Sequence, residues 1–390
     1  MRDLLWRLTV LLCLAPGAAL AAARPPVLIG LDAEFSLDNS VSAQAIETGL
    51  RVAIDELNAR GGVLGGRELK LLTRDNGSNP ARGIKNLREF AQMPDLVAVF
   101  GGRYSPVLIE ELPTVAQTGI LLMAPWSSAD PITDNSMRPN RVFRLSLRDS
   151  IAMPGLFQQA ARRGCTAAGL LVINTGWGRS NKAAADAYFQ QRRPISLVHT
   201  AWFNYKDSSL IEKYDSLLMA GAKCVVLVAN DDEASVLIRE VAAQPAERRI
   251  PIFSHWGVAG GNFAIQTGKA LEAIDFTVVQ TFSFFRADAA ALQRFFAAAG
   301  KYQLRRPEDI VAPTGVAHAY DLMHILARAI NEAGSTKRDA VRDALERVRD
   351  YHGLVRYYDQ PFSPASHDAL GPQQLLMARF GSDGLIRPLP

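Results

Sequence analysis

Histidine and cysteine are scarce in this chain, with six and three residues respectively in 390, and that scarcity removes most of the chemistry that depends on them. His199, His255, His318 and His324 show no spacing suited to a metal, since a gap of six places His318 and His324 on different helix faces. No Gly-x-Ser-x-Gly elbow and no phosphate-binding loop occurs, and Gly260-Gly261 is not a dinucleotide fingerprint. His318, Asp321 and His324 read as polar positions of an amphipathic helix. The expectation is a protein that is not an enzyme and holds no cofactor or metal. An excess of one charge is also missing, with 43 Lys and Arg against 39 Asp and Glu. The basic pairs Arg162-Arg163, Arg192-Arg193, Arg248-Arg249 and Arg305-Arg306 are scattered and read as solvated helix ends, which leaves no nucleic-acid footprint. Beyond residue 23 no apolar run approaches the roughly 20 residues needed to cross a bilayer.

What the first 23 residues do contain is Arg2 and Arg7, an apolar run at 8–14, and small residues ending in Ala21-Ala22-Ala23. This is the pattern of a secretory signal peptide cleaved near Ala23, giving a periplasmic product. Cys13 lies inside the apolar run with leucines on both sides, so plain cleavage is favoured over lipid attachment. Cys165 and Cys224 remain after cleavage, each at the start of an expected strand. They are either two separate buried thiols or, if those strands are neighbours in an oxidising compartment, a disulfide.

Short apolar runs recur at 27–31, 69–72, 96–100, 120–123, 169–173, 197–201, 224–229 and 250–253, with helical stretches between them. The clearest helix spans 44–60, where Ile46, Leu50, Ile54 and Leu57 repeat every three or four residues and Gly61-Gly62 ends the pattern. Strands rich in Val, Ile and Leu without polar alternation are covered on both faces, so the fold class is α/β, with doubly wound parallel sheets. The length suggests two lobes. The alternation pauses near 142–147 and again near 276–285, and the segment from about 351 onward reads as a small irregular return. The expected division is 1–23 as signal peptide, 24–145 plus 278–350 as the first lobe, and 146–277 plus 351–390 as the second, with a multi-strand hinge between them.

Ligands of parallel sheets bind at the carboxyl ends of the strands. Two polar turns occupy such ends. One is Gly101-Gly102-Arg103-Tyr104-Ser105-Pro106, where Ser105 is placed to cap a helix and Pro106 suits its first turn. The other is Ala124-Pro125-Trp126-Ser127-Ser128-Ala129-Asp130-Pro131. Together they form a donor-rich surface suited to a carboxylate. Trp126, Trp177 and Trp256, three of the five tryptophans, all follow expected strands. A helix terminus gives an anion about 0.3–1 kcal/mol, or up to ~2 kcal/mol when partly buried, whereas micromolar binding needs about 8 kcal/mol. Covering about 150 Å² of apolar ligand adds about 4 kcal/mol. A ligand with a polar acceptor end and an apolar or planar body follows, and Tyr104, Ser105, Trp126, Ser127, Ser128, Trp177, Asn230 and Trp256 are the candidate contacts.

The chain resembles the leucine/isoleucine/valine-binding protein family of type I periplasmic receptors. The likeness rests on Glu47-Thr48-Gly49, on Asp55-Glu56-Leu57-Asn58-Ala59-Arg60-Gly61-Gly62 with Gly65-Gly66-Arg67, on Asp75-Asn76, and on the two turns above. It implies a monomeric substrate-binding receptor for an inner-membrane ABC permease. The same fold also serves sensors that present a ligand to a membrane kinase or chemoreceptor. The resemblance further implies that Ser105 and Ser128 offer hydroxyls to the ligand carboxylate, that position 126 offers mainly its backbone, and that Trp177 stands at the aromatic-Gly pair, usually Tyr-Gly, after the first strand of the second lobe. Trp256 falls where amino-acid binders of the family place an acidic residue for the ligand ammonium. Its ring offers no carboxylate, which points to either a hydrophobic amino acid or an aromatic or apolar carboxylate as ligand. Asp231, Asp232 and Glu233 are the acids that could substitute for the missing one, or else a charge cluster at a helix N-terminus.

Overall fold

The computed structural model describes residues 24–38 and 40–390; the signal-peptide segment and Cys13 lie outside them. The first lobe begins with β1 (Val27–Ala33), α1 (Val41–Ala59), β2 (Leu69–Asp75), α2 (Pro80–Ala91), β3 (Leu96–Gly101), α3 (Ser105–Thr118), β4 (Leu121–Ala124) and β5 (Val142–Arg144). Its five strands lie in the order β2-β1-β3-β4-β5, all parallel. The second lobe follows with α4 (Asp149–Arg162), β6 (Ala167–Ile173), α5 (Gly176–Phe189), β7 (Ser196–Phe203), α6 (Ile211–Met219), β8 (Cys224–Val228), α7 (Asp231–Ala242), β9 (Ile252–Ser254), α8 (Phe263–Thr267) and β10 (Phe276–Gln280). The chain then returns through α9 (Ala289–Ala299), α10 (Pro313–Ala333) and α11 (Arg338–Leu345), and ends with β11 (Tyr351–His352), β12 (Tyr357–Tyr358), β13 (Leu376–Phe380) and β14 (Ile386–Pro388). The fold is therefore α/β with parallel sheets in two lobes. Among the described residues no helix is long and apolar enough to cross a membrane.

The motif at Glu47-Thr48-Gly49 has a packing reason. A Cβ on Gly49 would lie 2.3 Å from the Val316 carbonyl oxygen, so only glycine lets α1 and α10 approach this closely. Wedged against α1, α10 buries most of its circumference, including His318, Asp321 and His324. Those three are therefore not polar positions of an amphipathic helix. Asp321 accepts from the Leu354 and Val355 amides and from the Tyr358 hydroxyl, which fixes the return segment. His318 is pushed down to about 4 by burial and is neutral. A carbonyl can only accept, so its Nδ1 donates to Pro125 O and its Nε2 accepts from the Thr281 hydroxyl.

The segment after 351 is more regular than its sequence suggests, and it divides between the lobes. Residues 351–370 pack on the first: Arg144 of β5 exchanges backbone hydrogen bonds with His367 and Ala369, and its buried side chain meets Asp368 at 2.6 Å. Strand β13 then pairs antiparallel with β10, and β14 with β13, extending the second sheet to seven strands. Likewise β10 runs to Gln280 as a second-sheet strand, so the chain leaves that sheet after residue 280 rather than at 278. In register β6 and β8 are parallel neighbours with Ala168 opposite Cys224, and Cys165 and Cys224 are joined by a disulfide.

One buried acid pair holds α3 on the sheet. Asp32 of β1 accepts from Asn76 and Asn86 at 2.9 and 2.6 Å and is hydrogen-bonded to Glu111 of α3. Burial and the Asp32 charge push Glu111 well above the usual carboxyl range, so it stays protonated and donates. Burial also raises Asp32, to about 6. A carboxyl whose folded pKa is raised stabilises the fold at low pH, and that contribution is lost as pH rises through the folded value. Glu111→Gln, which keeps a neutral donor at every pH, is therefore expected to gain on the wild type in melting temperature between pH 6 and pH 9, whereas Glu111→Ala loses about 1–3 kcal/mol; parallel melting curves for wild type and Glu111→Gln would contradict this. The disulfide closes a loop with a sequence separation of 59, so replacing both cysteines by alanine is expected to cost about 2–4 kcal/mol in chemical denaturation.

Candidate functional site

Because β1–β5 run parallel in one sheet and β6–β10 in the other, each set presents its carboxyl ends to the gap between the lobes, and the turns after six strands supply its walls. From the first lobe come Arg103, Tyr104, Ser105 and Pro106 after β3, and Trp126 and Ser128 after β4. From the second come Trp177 after β6, Tyr205 after β7, Asn230 after β8, and Trp256 and Gly257 after β9. The free room left between them is small, about 10 Å³.

The local sequence explains how each wall is held. Thr175 caps α5 by accepting from the Gly178 amide at 3.3 Å. A Cβ on Gly178 would sit 1.6 Å from the Ile173 carbonyl oxygen, so the aromatic-Gly pair is a steric requirement that lets the helix start directly off β6 with Trp177 facing the gap. Ser105 is the first residue of α3 and Tyr104 occupies the cap position, without a side-chain bond. Ser105 therefore does not cap its own helix; its Oγ accepts from the Ala129 amide at 3.3 Å and ties the two polar turns together. Pro106 takes the first turn of α3, as its missing N–H allows.

Seven of the eight candidate residues lie together here. Ser127 does not: its side chain turns back and donates to Gly102 O at 2.8 Å, so it braces the first polar turn. The backbone carbonyl of Trp126 is taken by the Ser146 hydroxyl, and its indole is what faces the gap. Trp177 Nε1 donates across the gap to Ser128 Oγ at 3.0 Å, and more weakly to Asp149 Oδ1 at 3.3 Å. Further out, the Asp130 amide donates to Ser180 Oγ at 2.9 Å. With these bonds made, the walls nearly touch, and the lobes are in a closed arrangement.

Arg103 and Tyr205 are absent from the sequence-derived set. Arg103 is buried between the lobes, where its Nη1 donates to Asp231 Oδ1 at 2.6 Å and to Gly257 O at 3.3 Å, and its Nη2 to the Tyr104 hydroxyl at 3.0 Å. Burial alone would lower its pKa, but Tyr104, Asp231 and Glu34 outweigh that and hold it above its ordinary value, fully charged. A Cβ on Gly260 would come within 2.4 Å of Nη1, so the glycines after β9 form the slot that accepts the guanidinium. Tyr205, 38% exposed, stands at the rim with its ring 6.1 Å from that of Tyr104. The signal for Tyr205 was available, since it follows a strand just as the tryptophans do. Arg103 was visible as part of a turn, but its partner lies 128 residues away, beyond the reach of local patterns.

The acids weighed as partners for an ammonium are otherwise engaged. Asp231 holds Arg103, and Glu233 accepts from the Lys206 amide and is raised by burial. Asp232 accepts from Gln266 Nε2 on an exposed face. Among the described residues no cluster of His, Cys, Asp or Glu could hold a metal ion.

Comparison with known proteins agrees with this architecture. A family model described as periplasmic binding protein matches residues 26–383. The Leu/Ile/Val-binding protein homolog 2 of Brucella abortus (strain 2308) is 24% identical over 368 residues, covering 92% of each chain. The fold is shared with a periplasmic binding protein type 1 from Bordetella pertussis Tohama I, with a TM-score of 0.83, 21% identity, and coverage of 94% of this chain and 100% of that one. It is also shared with a solute-binding protein of an ABC transporter from R. palustris in complex with benzoate, with a TM-score of 0.74, 18% identity, and coverage of 93% and 95%.

Proposed function

The chain belongs to the periplasmic binding protein family, and we propose that it is the substrate-binding receptor of an ABC importer, taking a small carboxylate-bearing molecule into the gap between its lobes and passing it to an inner-membrane permease. The observation that carries this reading is the asymmetry of the gap. The first lobe contributes the guanidinium, the Ser105 and Ser128 hydroxyls and the N-terminus of α3 beside one indole, Trp126, and the second contributes two indoles, Trp177 and Trp256, beside Tyr205 and Asn230. One wall suits an anionic head and the other covers an apolar body.

Size supports a small ligand. With the lobes closed the gap holds only about 10 Å³ of free room, about one water's worth, so any ligand must be small enough to be enclosed after a modest parting of the walls. The walls already bond to each other through Trp177 and Ser128, so entry requires the lobes to part and binding favours their closure. The candidate first-wall contacts are Tyr104, Ser105, Trp126 and Ser128, with Trp177, Asn230 and Trp256 opposite them. Ser127 acts behind the wall rather than on the ligand. The Leu/Ile/Val-binding relatives and the benzoate complex bracket the ligand class between a hydrophobic amino acid and an aromatic acid. Export to the periplasm fits the family and the leader-like first 23 residues.

A thermal-shift screen of hydrophobic amino acids and aromatic or branched aliphatic carboxylates is expected to find at least one stabilising ligand. For that ligand, Ser128→Ala and Ser105→Ala should each weaken binding by roughly 10- to 150-fold in calorimetry, the range expected for losing a hydrogen bond to a charged group. Unchanged affinity in both variants would place the ligand elsewhere.

A further inference from the structure

We infer that the ligand is an anion that carries no ammonium group, and that Arg103 is the residue that enforces this choice. The inference rests on the reading of the gap as a carboxylate receptor and narrows it. The residues lining the gap include one cation, Arg103, and no carboxylate. Two buried polar atoms on those residues have no hydrogen-bond partner, Arg103 Nε and Trp126 Nε1, and both can only donate. The wall thus holds unspent donors, which ask for an acceptor, and lacks the acceptor charge that an ammonium would need.

The nearby acids do not supply that charge. Asp231 is the carboxylate that crosses to the first lobe, and its Oδ1 is held by Arg103 Nη1 at 2.6 Å. Its Oδ2 has no hydrogen-bond partner but turns toward Gly261, where a Cβ would lie 1.7 Å away, and Asp231 is not among the residues lining the gap. Glu34 accepts from Ser42 Oγ and from the Arg103 amide. Asp149 sits behind the Trp177 indole, and its Oδ1 accepts Nε1 and lies 3.2 Å from His255 Nε2; its Oδ2 has no partner, but the residue does not line the gap. A ligand ammonium enclosed here would give up its water for neutral hydroxyl and amide oxygens and the face of an indole, with no opposite charge on the lining, a weak exchange for a buried charge. Arg103 therefore acts twice: it adds positive charge beside the anionic head, and it neutralises the Asp231 carboxylate that crosses to the first lobe.

The test uses two ligand pairs that differ only by the ammonium: phenylacetate against phenylglycine, and 4-methylpentanoate against leucine. Calorimetry on the wild-type protein is expected to give at least about tenfold tighter binding for the member lacking the amine in the pair that fits. In Arg103→Ala, Asp231 is released and that ratio should fall at least about tenfold, whatever common affinity is lost with the interlobe bond, since the common loss cancels. Should Arg103→Ala fold poorly, Arg103→Met with Asp231→Asn removes both charges; there the acid should lose affinity while the amino acid gains none. Equal or tighter binding of the amino acids by wild type would overturn the inference and leave the carboxylate receptor standing. An unchanged ratio in Arg103→Ala would remove the role given to Arg103. If none of the four ligands and none of the wider acid screen bound, the receptor reading itself would fall, and the inference with it.

Discussion

A guanidinium cannot be left unpaired in a protein interior, and the lobes of this protein meet around one that is paired only when they are closed. Arg103 belongs to the first lobe and Asp231 to the second, and their 2.6 Å contact is almost wholly buried. Parting the lobes exposes both charges to water, which solvates them well, so the pair is not a lock. Its desolvation roughly offsets its attraction, which leaves the balance between open and closed forms sensitive to a modest further contribution. A guest that meets the unspent donors on one wall and covers the indoles on the other supplies such a contribution, and this is how a binding protein of this fold couples occupancy to shape.

The rest of the molecule keeps that gap in register. Parallel strands place six turns at its edge, and the glycines at 178 and 260 remove the atoms that would keep Trp177 and Arg103 from their positions. Behind the first wall, Asp32 and Glu111 fix α3 to the sheet, while Ser127 and Ser105 brace its two turns against each other. Neutral His318 links the Pro125 carbonyl to Thr281 at the exit from β10. The turn that carries Trp126 and a crossing segment are thus tied through α10, on the first-lobe side of the hinge.

Much of this could be read from the chain before any coordinates. Runs of Val, Ile and Leu marked the parallel strands because burial on both faces leaves no polar alternation, and once the strands were parallel their carboxyl ends named Tyr104, Ser105, Trp126, Ser128, Trp177, Asn230 and Trp256. Relations between distant residues were out of reach. The Arg103–Asp231 pair joins two turns that each have a sufficient local explanation, so nothing in either stretch announces the other. Burial of His318, Asp321 and His324 depends on what packs on α10 from both sides, and the polar spacing alone suggested an outward face. Ser127 and Ser128 are chemically alike neighbours, and only the path of the turn decides which one faces the gap. Strands β13 and β14 are short and half exposed, and they carry no apolar run to reveal them; their place was set by the open edge of β10.

The central claim is that an acid sits in the gap with its charged head against the turns after β3 and β4 and its body against Trp177 and Trp256. A crystal structure of the protein with a ligand carried through purification, its identity set by mass spectrometry, addresses this directly. The account predicts a single molecule between the lobes, its carboxylate within hydrogen-bond distance of Ser105 or Ser128 and its apolar part between the indoles. A ligand bound on an outer face, or lying in the gap with its carboxylate turned toward Trp256, would contradict it.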